Sequence, residues 1–169
     1  MKTARILLLL AVALSGLDTA AVLNAQPGDV TIQYVQPEKF TDFSINGRDY
    51  RWSASYFASE ISGDLRPALK RRFPGSQLTL RFTDIDLAGG YRTSGQAGRS
   101  VRVNRGEITP VRMSFDFLLQ DSAGKTLARG STRVTDTSRY GLRSHPSSSE
   151  PLYYEKRMLE KWLNSIRVS

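Results

Sequence analysis

The segment QLTLRFTDIDLAGG, Gln77 to Gly90, decides how the rest of the chain is read. Leu78, Leu80 and Phe82 alternate with Thr79, Arg81 and Thr83, the period-two pattern of a strand with one face on a core. Asp84 and Asp86 then fall where the apolar face should continue. If the strand stays regular, the core face ends in two carboxylates. If a bulge at Thr83 or Asp84 shifts the register, Ile85 and Leu87 turn inward and both carboxylates face water. Either way the two aspartates share a side, about 7 Å apart from the strand rise. Such a pair suits a hard cation, an acid and base, or a loop cap that accepts N–H bonds from the Gly89-Gly90 turn and pairs with arginine. A calcium ion wants about six or more oxygens. No acidic residue lies between Leu87 and Glu107, so the capping role is the expected one.

The flanking segments supply the other layers. DVTIQYVQ (29–36) alternates Val30, Ile32 and Tyr34 and reads as a strand stopped by Pro37, with a turn signal at Asn46-Gly47. From about Ser53 to Arg72, Phe57, Ile61, Leu65, Ala68 and Leu69 keep helical spacing, with Ser53 or Ser55 as N-cap. Gly63 and Pro67 inside that stretch predict a kink or break. SVRVN (100–104) is a short strand. EITPVRMSFDFLLQ sets Val111, Met113, Phe115, Phe117 and Leu119 on one face. A turn at Asp121–Gly124 leads into KTLARGSTRVTD, and a final helix is expected from about Pro151 to Ile166, capped by Ser149 or Glu150. The order β-α-β-β-β-α predicts an α+β two-layer sandwich: about four mainly antiparallel strands with two helices on one face.

The N-terminus reads as a signal peptide of residues 1–25. Lys2 and Arg5 precede an apolar run from Ile6 to Leu14, and small residues follow at Ala20, Ala21 and Ala25. Cleavage after Ala25 leaves one domain, 26–169; cleavage after Ala21 is the alternative. With no cysteine in the chain, neither disulfides nor thiolate metal sites nor lipidation at a cleavage-site thiol are available. The expected location is periplasmic or secreted. Removing Lys2, Arg5 and Asp18 lowers the formal charge from +8 to +7, which draws such a protein to anionic envelope material: lipopolysaccharide, lipid headgroups or acidic glycans.

The loop YRTSGQAGRSVRVNRG carries Arg92, Arg99, Arg102 and Arg105 with no acid among them, and guanidinium pairs bidentately with carboxylate and phosphate. Its glycines match neither phosphate-cradling pattern. The uncovered sheet face offers Arg81, Arg112 and Arg133 beside Asp116, Ser114 and Thr79, as binding strip or as cross-strand pairs. Glu155 lies in the middle of the apolar arc of the last helix, where a carboxylate pairs with an arginine or a tyrosine hydroxyl. His145, the single histidine, has neither a triad setting nor zinc partners. No metal site, cofactor or nucleic-acid motif is indicated.

Three segments, TDIDLAG (83–89), FLLQDSAGKTLARGSTRVTD (117–136) and EPLYYEKRMLEKW (150–162), together resemble an uncharacterised family of exported proteobacterial proteins, domain of unknown function 3016. The likeness runs from about Val30 to Trp162. TDIDLAG and the pattern Pro151, Leu152, Tyr154, Glu155, Lys156 are its most specific parts. In GEITPVR only Pro110 and Arg112 match the family's tendency. The resemblance marks Asp84, Asp86, Arg112 and Glu155 as family-like polar positions and implies no activity; these four are expected to form a structural polar cluster where the second strand meets the last helix. The expected function is therefore a soluble non-enzymatic domain binding an anionic envelope component or a periplasmic protein. The alternative is a carboxylate-based, glycan-hydrolase-like enzyme using Asp84 and Asp86, and a third reading is a module that pairs through an exposed strand edge.

Overall fold

A computed structural model describes residues 22–24, 29–93, 100–103, 110–136 and 152–168. The elements run β1 (Val22–Asn24), β2 (Val30–Val35), α1 (Tyr50–Arg72), β3 (Gln77–Asp86), β4 (Gly90–Thr93), β5 (Ser100–Val103), β6 (Arg112–Gln120), β7 (Thr126–Thr135) and α2 (Tyr153–Ser165). One sheet has the order β1-β2-β3-β6-β7, and β4 with β5 makes a separate two-stranded sheet. The long elements follow the expected β-α-β-β-β-α order in an α+β fold.

The sheet is mixed. β2 and β3 are parallel, whereas β3–β6 and β6–β7 are antiparallel. Parallel neighbours need a long crossover, and the 23-residue helix α1 between them supplies it. The alternating strands bury one face: Val30, Ile32 and Tyr34 from β2, Leu78, Leu80 and Phe82 from β3, Met113, Phe115 and Leu119 from β6. Phe57, Ile61, Leu65 and Leu69 of α1 and Leu159 and Leu163 of α2 complete that core. Aromatic rings bridge the layers, with Phe57 edge-on to Phe82 at 5.5 Å and Trp162 edge-on to Phe115 at 4.8 Å.

Helix α1 departs from expectation at both points where its sequence was ambiguous. Its N-cap is Asp49, whose carboxylate accepts from the Arg51 and Trp52 N–H groups. Ser53 is instead fully buried, and its hydroxyl accepts the Ile45 N–H, holding the turn that precedes the helix. The helix also continues through Gly63 and Pro67 without a break. Pro67 lacks the N–H that would bond the carbonyl of Gly63, but both residues face solvent, so water can satisfy that carbonyl. Helix α2 begins at Tyr153, with Leu152 in the left-handed region at φ 55. The expected caps Ser149 and Glu150, and Pro151, lie outside the described residues, as does His145. No helix among the described residues is long and apolar enough to cross a membrane.

Candidate functional site

The end of β3 is where the sequence concentrated its polar oddities, and a register shift between Phe82 and Asp84 organises it. Thr83 is the extra residue. It stays exposed and donates its hydroxyl to the Ser114 carbonyl at 3.1 Å. Beyond it Ile85 pairs with Met113 and is fully buried, while Asp84 pairs with Ser114 and Asp86 with Arg112. The aspartates therefore sit on the side away from the helices.

Both have partners in the protein. Asp84 accepts the Thr41 N–H at 2.9 Å through Oδ1 and the Thr41 hydroxyl at 3.1 Å through Oδ2. Asp86 lies 4.0 Å from the Arg112 guanidinium. Around them the segment after β2 docks on the strand end. The Asp42 N–H donates to the Ile85 carbonyl, the Leu87 N–H donates to the Asp42 carbonyl, and the resulting parallel bridge leaves Asp86 only 9% exposed. The Asp84 carboxylate thus fastens a remote loop to β3, a role for which N–H and hydroxyl donors to an ionised acceptor are well suited, while Asp86 takes part in the docking through its backbone. Thr41 carried no sequence signal for this, because it lies 43 positions away.

Glu155 grips the same segment from the opposite layer. It occupies the first turn of α2, is 3% exposed, and accepts the Ala88 N–H at 2.9 Å. Its negative charge also suits the positive end of the helix dipole. Beside it Lys156 is buried and reaches Glu60 of α1 at 2.8 Å, an interhelix pair that the apolar arc of α2 did not disclose. Of the four family-like positions, then, Asp86 and Arg112 meet directly, while Asp84 and Glu155 hold opposite sides of the stretch from Asp84 to Ala88. Among the described residues no group of three His, Cys, Asp or Glu side chains is placed to hold a metal ion.

The arginine loop is partly described. Arg92 lies in β4 and Arg102 in β5, whose register sets Arg92 opposite Val101 and Tyr91 opposite Arg102, so the two arginines are not cross-strand partners. Arg99 and Arg105 lie outside the described residues.

On the open face of the main sheet, Arg81 and Asp116 are cross-strand partners 3.0 Å apart, and Ser131 donates to the same carboxylate at 2.6 Å. Arg129 and Arg133 of β7 are exposed, and among the described residues no carboxylate lies within ion-pair distance of either. A shallow depression of about 300 Å³ beside Arg133 is lined by the polar residues Thr83, Ser114, Asp116, Ser131 and Thr132. A larger cleft, about 490 Å³, opens between β7 and the C-terminal end of α2, floored by Phe117, Leu127, Ala128, Trp162 and Ile166, with Arg129 and Arg167 at its lining.

No curated protein and no solved structure matches the chain. The model of one family, described as a protein of unknown function (DUF3016), matches residues 28–165, a span that takes in TDIDLAG, the β6–β7 hairpin and all of α2. The segment that Asp84, Asp86 and Glu155 hold in place lies inside that match, and the chain belongs to the DUF3016 family.

Proposed function

We propose that this chain is an exported, non-enzymatic domain that binds an anionic partner through the arginines of its open sheet face and of the β4–β5 region. One observation carries the reading. Among the described residues the open-face carboxylates have protein partners: Asp84 accepts from Thr41, Asp116 accepts from Arg81 and Ser131, and Asp86 is ion-paired with Arg112 at 4.0 Å. Arg129 and Arg133 have no such acid partner among the described residues. Two unneutralised guanidinium groups on one strand face, in a chain of formal charge +8, favour carboxylate or phosphate groups. Export rests on the basic, apolar and small-residue pattern of residues 1–25.

The test is thermal unfolding of the purified protein with lipopolysaccharide, anionic or zwitterionic vesicles, peptidoglycan fragments, Ca²⁺ or Mg²⁺, each at low and high salt. A ligand that binds the native state alone raises the melting temperature by mass action. We expect a salt-sensitive rise with an anion, lost in Arg129→Ala/Arg133→Ala or in Arg99→Ala/Arg102→Ala. Absence of any rise, or a rise that all four arginine replacements leave intact, overturns the reading. A rise with a divalent cation that Asp84→Asn abolishes would put the carboxylate-enzyme reading in its place.

A further inference from the structure

We infer that the outer edge of β7, with the cleft beside it, is a docking site for an extended partner segment in which acidic side chains alternate with apolar ones. The inference rests on the anion-binding reading and narrows the anion to a peptide strand.

The backbone supplies the first argument. β7 is the last strand of its sheet, ten residues long, and among the described residues it pairs with β6 alone. A strand of that length presents a row of unpaired N–H and C=O groups along its free side, a template for one more strand. At the other end of the sheet β1 lies along the edge of β2, so that edge is covered only in a chain that keeps residues 22–24.

The side chains state what that strand should contain. The register pairs Gly130 with Phe117 and Ala128 with Leu119, so the helix-side face of β7 is made of small residues where it borders the cleft. The cleft alongside is floored by Phe117, Leu127, Trp162 and Ile166. It has room for an apolar side chain carried by a neighbouring strand. Trp162 is 9% exposed, and among the hydrogen bonds of the described residues none is donated by its indole. Buried indole N–H groups ordinarily have an acceptor, and an incoming backbone carbonyl or carboxylate would provide one. On the opposite face Arg129 and Arg133 alternate with Ser131 and call for acids at the facing positions.

The same charges argue against a second copy of this chain. Antiparallel pairing of two β7 strands about Ser131 would set Arg129 of one against Arg133 of the other, and like charges directly opposite destabilise a ladder.

The probe is a short synthetic peptide alternating glutamate with leucine. Its controls are the same peptide N-methylated at alternate amides and a lysine-leucine version. Binding is read by Trp162 fluorescence in a Trp52→Phe background and by amide exchange across residues 126–135. The inference expects saturable binding, new protection within β7, and weakening by about tenfold or more for both control peptides, a difference of about 1.4 kcal/mol. Arg129→Glu/Arg133→Glu should reverse the preference toward the lysine peptide. Equal binding of the N-methylated peptide, or protection that appears elsewhere, overturns the strand-addition proposal. So does a chain that self-associates through β7 in preference to the peptide. If anionic vesicles or lipopolysaccharide bind while the peptide does not, the proposal falls and the broader anion reading stands. If neither binds, both fall.

Discussion

At the scale of single residues, the polar positions inside this fold act through what they hold. Glu155 is nearly fully buried and accepts a backbone N–H. Removing the acceptor leaves the Ala88 donor without that bond in a dry environment, so Glu155→Ala should cost about 2–3 kcal/mol. Glu155→Gln keeps an acceptor and should cost less, and urea midpoints compare the two directly. Asp84→Ala should free the loop around Thr41, seen as faster amide exchange at Thr41 and Asp42 with a smaller global loss, about 1 kcal/mol, since Asp84 is half-exposed. Tyr34 gives a pH signature. Its hydroxyl donates to the Ala54 carbonyl at 2.8 Å, and burial pushes its pKa well above the ordinary 10.0. The unfolded chain loses this proton from about pH 10 while the folded chain retains it. Its contribution is therefore full below pH 10.0 and is lost as the pH climbs from there toward the folded value. Tyr34→Phe should remove that alkaline slope, at a cost of about 1 kcal/mol at neutral pH for the lost hydrogen bond.

At the scale of elements, the contact between α1 and α2 contains a charge pair as well as packed side chains. Lys156 and Glu60 are 10% and 30% exposed in their side chains, between the surface regime and the buried one. A double-mutant cycle with Glu60→Gln and Lys156→Met should show coupling of about 1–2 kcal/mol, and near-zero coupling would reduce the pair to decoration. Pro67 offers the opposite sign. It sits inside a continuous helix on the solvent side, so Pro67→Ala should stabilise the protein by up to about 3 kcal/mol, read as a higher urea midpoint. The edges of the sheet differ in origin. Val22–Asn24 pairs with β2 through Val22↔Val35 to Asn24↔Gln33. Cleavage after Ala25 would remove this strand, whereas cleavage after Ala21 retains it. Mass spectrometry of the exported protein distinguishes the two, and under our reading a processed N-terminus at one of these sites is the expected result.

At the scale of the whole molecule, charge and fold act on different questions. A formal charge of +8 says nothing about how the strands are ordered but does set how the protein meets anions. Any such association should weaken steeply as salt rises past about 0.1 M, where the screening length falls to about 10 Å. The sequence by itself determined which residues face the core, because the periods of two and of 3.6 are written into it: Leu78, Leu80, Phe82, Phe57, Leu159 and Leu163 all lie buried where their spacing puts them. It also marked Asp84, Asp86, Arg112 and Glu155 as unusual. The tertiary structure alone decided that β2 and β3 run parallel, since a crossover helix sets strand direction and local alternation is blind to it. It likewise chose the bulge at Thr83 over a regular strand, because only the facing residues Ser114 and Phe115 fix the register. The partners Thr41, Ala88 and Glu60 escaped the sequence for the same reason. Hydrogen bonds across 43, 67 and 96 positions leave no periodic trace and exist only once the layers have packed.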